Sequence, residues 1–197
     1  MPPETLREEG LPEKLRAFLA GRRVAVLGVG NALRGDDGFG PAVVERLVAS
    51  CQLPVASSQA PDPSSEPRAP RPQPPPSPVV LDAGSAPENF AGRLRRERPE
   101  ALLVLDAADF GWAPGELRLL SPGELAGGGL STHAGSLAML FDYLRAECGT
   151  DSAVLAAQAG SLKLGQGLSA PVEAAVGRAA ALLREQFPAP AEGSRGA

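Results

Sequence analysis

The sequence predicts an α/β fold, a three-layer α/β/α sandwich with a mostly parallel, roughly five-stranded sheet. Three observations carry that reading. The apolar run Val24-Ala25-Val26-Leu27 enters a glycine-rich loop that ends at Gly40, and helical spacing follows at Val43, Val44, Leu47 and Val48. A strand, a glycine loop and a helix in that order form the first half of a βαβ unit. Ala101-Leu102-Leu103-Val104-Leu105 has no polar face, as a central parallel strand covered on both sides requires. Strand-like and helix-like segments then alternate along the chain, with no internal repeat.

The elements follow in order. Leu11, Leu15, Phe18 and Leu19 form a helical stripe, so residues 1–22 read as an N-terminal helical extension. One domain spans 23–187. Its first strand and helix are followed by a stretch at 53–78 dominated by Pro, Ser, Ala and Gln. Proline at that density feeds neither a sheet ladder nor a helix, so a disordered or polyproline-like insertion is expected. Val79-Val80-Leu81-Asp82 is the second strand, and a helix is expected from Phe90 to Arg98. Ala101 to Asp106 is the third strand. Pro114-Gly115 turns the chain into a fourth at Glu116 to Leu120. Gly127-Gly128-Gly129 is a loop before a helix starting near Ala134, which Ser131 or Thr132 could cap. Ser152 to Ala157 is the last strand, Pro171 to Gln186 the last helix, and 188–197 a disordered polar tail.

The totals exclude several classes. At 197 residues and 43% hydrophobic composition the chain can build one real core. A net charge of −4 argues against a nucleic-acid surface. No apolar run approaches the roughly 20 residues that span a bilayer, so no membrane insertion is expected. Met1-Pro2-Pro3-Glu4 opens no signal peptide. Cys51 and Cys148 show no framework spacing, which fits reduced thiols and a cytoplasmic location.

Acidic residues recur where strands end: Asp37 after the first, Asp82 on the second and Asp106 on the third. The single histidine, His133, opens a helix. Parallel strands bring such groups to one sheet edge, where two carboxylates and an imidazole make an oxygen/nitrogen set for a divalent transition metal. Turn or helix capping is the competing role for the aspartates. Asn31, Asp36 and the Gly28–Gly30 backbone are candidates for positioning substrate, with local turn bonds as their alternative. Gly28-x-Gly30 is no dinucleotide fingerprint, because Leu33 occupies the third glycine position. A serine or cysteine triad would have to use His133, and nothing in the sequence pairs Ser85 or Ser131 with it.

The segments Gly28 to Gly40, Asp82-Ala-Gly-Ser-Ala-Pro-Glu-Asn89, Leu105 to Gly111, Pro114 to Leu117 and Ser131-Thr-His133 together resemble the hydrogenase maturation endopeptidases. The resemblance covers about residues 24–186 and is strongest to the subgroup serving formate-hydrogenlyase-type [NiFe] hydrogenase. It implies an endopeptidase that removes a C-terminal peptide from the nickel-loaded precursor of the large subunit. It places the catalytic, metal-contacting residues at Asp37, Asp106 and His133. The nickel would come with the substrate, held by its cysteines, and no organic cofactor is implied. His133 must be neutral to bind metal, so recognition should weaken below about pH 6.5. The chain departs from the family in its proline-rich insertion, in Ala134-Gly135 after the histidine, and in Ala159 after Gln158. A metal-dependent α/β hydrolase with another substrate and a non-catalytic metal-binding module are the alternatives.

Overall fold

The computed structural model describes residues 10–50, 77–126 and 131–187. The triple-glycine loop and the tail lie outside the described residues, as does the expected insertion except for its last two positions.

Five strands form one sheet: β1 (Val24–Val29), β2 (Val79–Gly84), β3 (Ala101–Ala108), β4 (Leu117–Leu120) and β5 (Asp151–Gln158). Their spatial order is β2-β1-β3-β5-β4. All neighbours are parallel except β4, which pairs antiparallel with β5 at the edge, Leu117 opposite Ala157. The expected mostly parallel sheet is therefore present.

Helices cover both faces, and the strands' alternation decides which residues meet which helix. Val24, Val26, Leu103 and Leu105 pack against α1 (Leu11–Leu19), α2 (Phe39–Ser50) and α6 (Ala170–Gln186), through Leu15, Phe39, Val43, Val176 and Leu183. Ala25, Leu27, Leu102 and Val104 pack against α3 (Ala91–Glu97), α4 (Pro122–Ala126) and α5 (Ala134–Cys148), through Leu94, Leu125, Leu137 and Leu144. The N-terminal stripe thus joins the main core: Leu11, Leu15 and Leu19 are buried in the same cluster as β1 and β3.

The short α4 and the 3-10 turn Pro87–Phe90 ahead of α3 are absent from the sequence reading. A signal for α4 exists. Ser121 and Glu124 form a capping box, with the Ser121 N–H donating to Glu124 Oε2 at 2.9 Å and the Glu124 N–H to Ser121 Oγ at 3.4 Å.

Glycine fixes the approach of α2 to the sheet. A Cβ on Gly40 would stand 2.3 Å from the carbonyl oxygens of both Val29 and Leu105. Gly30 has φ 135°, and a Cβ there would fall 1.8 Å from the Asp37 carbonyl oxygen. No side chain other than hydrogen fits either position. These contacts hold the loop after β1 against the turn that carries Asp37.

Candidate metal centre

β1 and β3 are neighbours, and the chain leaves them in opposite directions. From β1 it crosses to β2 on one side, and from β3 it passes to β4 and β5 on the other. Such a switch point opens a crevice beyond the carboxyl ends of the strands, where ligands bind in open α/β sheets. Asp37 lies in the 3-10 turn Gly35–Gly38 just past β1. Asp106 lies near the end of β3 and falls, by alternation, on the side of Leu102 and Val104. That side is covered by α5, and His133 is the residue immediately before α5.

The three side chains therefore converge. One ligand atom from each of Asp37, Asp106 and His133 lies within 4.8 Å of the others, and all three residues are buried. His133 Nδ1 is 3.2 Å from Asp106 Oδ1. Asp106 Oδ1 also accepts from the Ala107 N–H at 2.9 Å, and Oδ2 accepts from Ser131 Oγ. Asp37 Oδ2 accepts from the Asn31 N–H at 2.9 Å, and Oδ1 from Thr132 Oγ1 at 3.3 Å. Thr132 Oγ1 stands 3.3 Å from His133 Nδ1 as well.

Burial pushes the Asp106 carboxyl above its ordinary value. It outweighs the hydrogen bonds from His133 and Ser131 and the His133 charge, while Asp37 adds to the rise. At His133 burial pulls the imidazole down, but the Asp106 hydrogen bond and the charges of Asp106 and Asp37 prevail, so its pKa is raised despite opposition from Arg34. Both directions favour the protonated form of each group. A cation entering the crevice would compete with protons for the same atoms. Two oxygens and one nitrogen, with positions left open, suit a divalent transition metal whose remaining ligands come from another molecule.

The other sequence candidates behave differently. Asp82 is exposed, and its Oδ1 accepts from the Gly84 N–H at 3.0 Å, which is the turn role. Asp36 is fully buried and ties down its own chain. Oδ2 accepts from the N–H groups of Gly160 at 2.7 Å and Ser161 at 2.9 Å and from Ser169 Oγ at 3.0 Å, while Oδ1 accepts from the Ser169 N–H at 2.6 Å. All of its bonds among the described residues thus go to its own chain rather than into the crevice. Asn31 Oδ1 accepts from the Leu33 N–H at 2.9 Å, an Asx turn, and the Gly30 N–H donates to the Gly84 carbonyl at 2.9 Å. The capping role expected of Ser131 or Thr132 is also corrected: His133 holds the cap position of α5 without a side-chain cap bond. Both hydroxyls donate to the site carboxylates, and Ser131 Oγ also accepts from the His133 N–H at 3.0 Å. The signal was their adjacency to the only histidine.

A groove of about 170 Å³ runs beside the centre, lined by Asp109, Ser131, Thr132, Ala159 and Leu162 among others. A larger hollow of about 300 Å³, walled by Phe18, Arg22, Phe141 and Arg145, lies where β5 begins at Asp151 and holds none of the three site groups.

Comparison with known proteins defines the class. The family model for hydrogenase maturation proteases matches residues 69–186. The chain belongs to the hydrogenase maturation protease family. It is 35% identical over 125 residues to the hydrogenase 3 maturation protease of Escherichia coli K12, covering 63% of this chain and 65% of that protein. It thus spans just under two thirds of the length of that curated relative. Among solved structures it is similar to the [NiFe] hydrogenase maturation protease HycI of Thermococcus kodakarensis, with a TM-score of 0.71, 27% identity and coverage of 88% of this chain and 98% of that one. A crystal structure of the hydrogenase 3 maturation protease aligns at TM-score 0.61 and 30% identity, over 82% of this chain and 88% of the other. The family match begins after Asp37, so that residue joins the site through the fold rather than through the matched segment.

Proposed function

We propose that this protein removes the C-terminal peptide from the precursor of a [NiFe] hydrogenase large subunit, and that it does so only once nickel is in place. The observation that carries this reading is the convergence of Asp37, Asp106 and His133 within 4.8 Å at the switch point of a chain from this family. Asp37 and Asp106 supply hard oxygen donors and His133 a nitrogen, and the precursor's cysteine thiolates supply the rest of the coordination around their own nickel. Nickel is here part of the substrate, serving as the anchor that fixes the precursor's C-terminal segment. Ser131 and Thr132 hold the carboxylates and the imidazole in register, as outer hydrogen bonds do at metal ligands. Anchoring turns an encounter between two proteins into a fixed arrangement of the scissile bond beside the groove. Among the described residues no helix is long and apolar enough to cross a membrane, so substrate and protein meet without an anchoring helix from these residues.

The test is direct. Purified protein is mixed with nickel-loaded precursor, with metal-free precursor as control, and the C-terminus is followed by mass spectrometry. Loss of a C-terminal peptide only from the nickel-loaded form is expected. An intact C-terminus would refute the peptidase, and equal cleavage of both forms would refute nickel recognition.

A further inference from the structure

Taking the precursor as the substrate proposed above, we propose that the loops after β1 and β5 together form a docking platform beside the metal centre for an apolar, acidic segment of that precursor. Leu33 is 69% exposed, Leu164 76% and Leu162 37%. Single exposed leucines are ordinary, but these three belong to two loops that are bonded to each other. The Gly165 N–H donates to the Leu33 carbonyl at 2.8 Å, the Gly35 N–H to the Gln166 carbonyl at 2.9 Å and the Asp36 N–H to the Ser161 carbonyl at 2.8 Å.

Asp36 then locks the β5 loop at both ends, since it binds the amides of Gly160 and Ser161 on one side and of Ser169 on the other. A buried carboxylate is thereby committed to holding a loop whose middle shows leucines to solvent. A partner that meets a fixed surface loses less loop entropy on binding than one that must order it.

The platform is continuous with the site. Leu162 lines the same groove as Ser131 and Thr132. Leu33 lies two residues from Asn31, whose N–H binds Asp37. Arg34 is near enough to His133 to oppose its protonation. Arg34 and Lys163, both exposed, are interleaved with the leucines, and neither makes an ion pair among the described residues. On a chain of net charge −4 the exposed charges of these two loops are both cationic, while Asp109 lines the groove beside them. The platform's complement is a segment that presents apolar side chains to the leucines and carboxylates to Arg34 and Lys163.

The experiment measures binding and processing of nickel-loaded precursor by the full chain and by Leu33→Asp, Leu164→Asp and the double variant Arg34→Glu/Lys163→Glu. Each leucine variant should weaken Kd about tenfold or more, with the loss of processing falling on KM rather than kcat. The charge variant should weaken Kd and flatten its dependence on salt. Binding of Ni²⁺ alone should stay unchanged in the leucine variants. Should Leu33→Asp or Leu164→Asp lower the melting temperature, Leu33→Ser and Leu164→Ser give the same comparison. Leucine variants that bind and process precursor like the parent protein would overturn the platform. Binding without cleavage by the parent protein would refute the peptidase while Kd still decides the platform. No binding by the parent protein would overturn both.

Discussion

Asp36 and Asp37 are neighbours in one 3-10 turn, both buried, and they serve opposite ends. Asp36 accepts four hydrogen bonds from its own chain and fastens the segment after β5 to the segment after β1. Asp37 accepts one backbone N–H and one hydroxyl, and its remaining acceptor capacity faces Asp106 and His133. A carboxylate whose acceptor positions are filled is committed to structure. One held by few bonds and turned toward other ligand groups is available for a cation. The difference is invisible in composition.

The largest test of that contrast is to remove each carboxylate in turn. Asp36→Ala takes the buried acceptor away from three amides and a hydroxyl on exposed and half-buried residues, and should cost about 2–3 kcal/mol of stability. Asp37→Asn keeps the shape and should change stability by less than about 1 kcal/mol while abolishing processing. Urea denaturation alongside the precursor assay separates the two outcomes. Equal destabilisation by both variants would break the comparison.

The next effect is on chemistry alone. His133→Ala and Asp106→Asn should both eliminate processing of nickel-loaded precursor while far-ultraviolet circular dichroism stays that of the folded protein. Normal turnover in either would remove that residue from the centre. A smaller loss is expected for Thr132→Val, which deletes the hydroxyl shared by Asp37 and His133. Affinity for Ni²⁺, read by calorimetry, should fall about 10- to 100-fold. The smallest effect belongs to Asp82→Ala. Among the described residues that side chain bonds its own turn, so processing should match the parent protein and stability should drop by about 1 kcal/mol or less.

Much of the fold was legible because it rests on local patterns. β3 announces itself by an unbroken apolar run, and α6 by apolar positions at Val172, Val176, Ala179 and Leu183. How closely the loop and α2 approach the sheet at Gly30 and Gly40 emerges only from the structure. The candidate site was half legible. Three acids at strand ends and one histidine could be collected from the chain, but their order along it could not say which acids share a crevice. Asp82 looked equivalent to Asp106 until the strand order put β2 at the edge and β1 beside β3. Ser131 and Thr132 looked like helix caps because a hydroxyl before a helix usually is one. Here each hydroxyl donates to a carboxylate, and Ser131 Oγ also accepts from the His133 N–H just ahead of the helix, so no N–H inside α5 is capped by either side chain.

The sequence alone determined the kinds of element, their order, the parallel sheet they must build and the short set of side chains able to bind a metal, since each follows from periodicity or from chemistry carried by single residues. Tertiary structure decided which of two adjacent aspartates faces the crevice, which loops are bonded into one surface, and which hydroxyls bond the carboxylates there. Those choices depend on strand order and on competition for buried hydrogen-bond acceptors between segments more than a hundred residues apart, such as Asp36 and Gly160 at a separation of 124, and no local pattern encodes them.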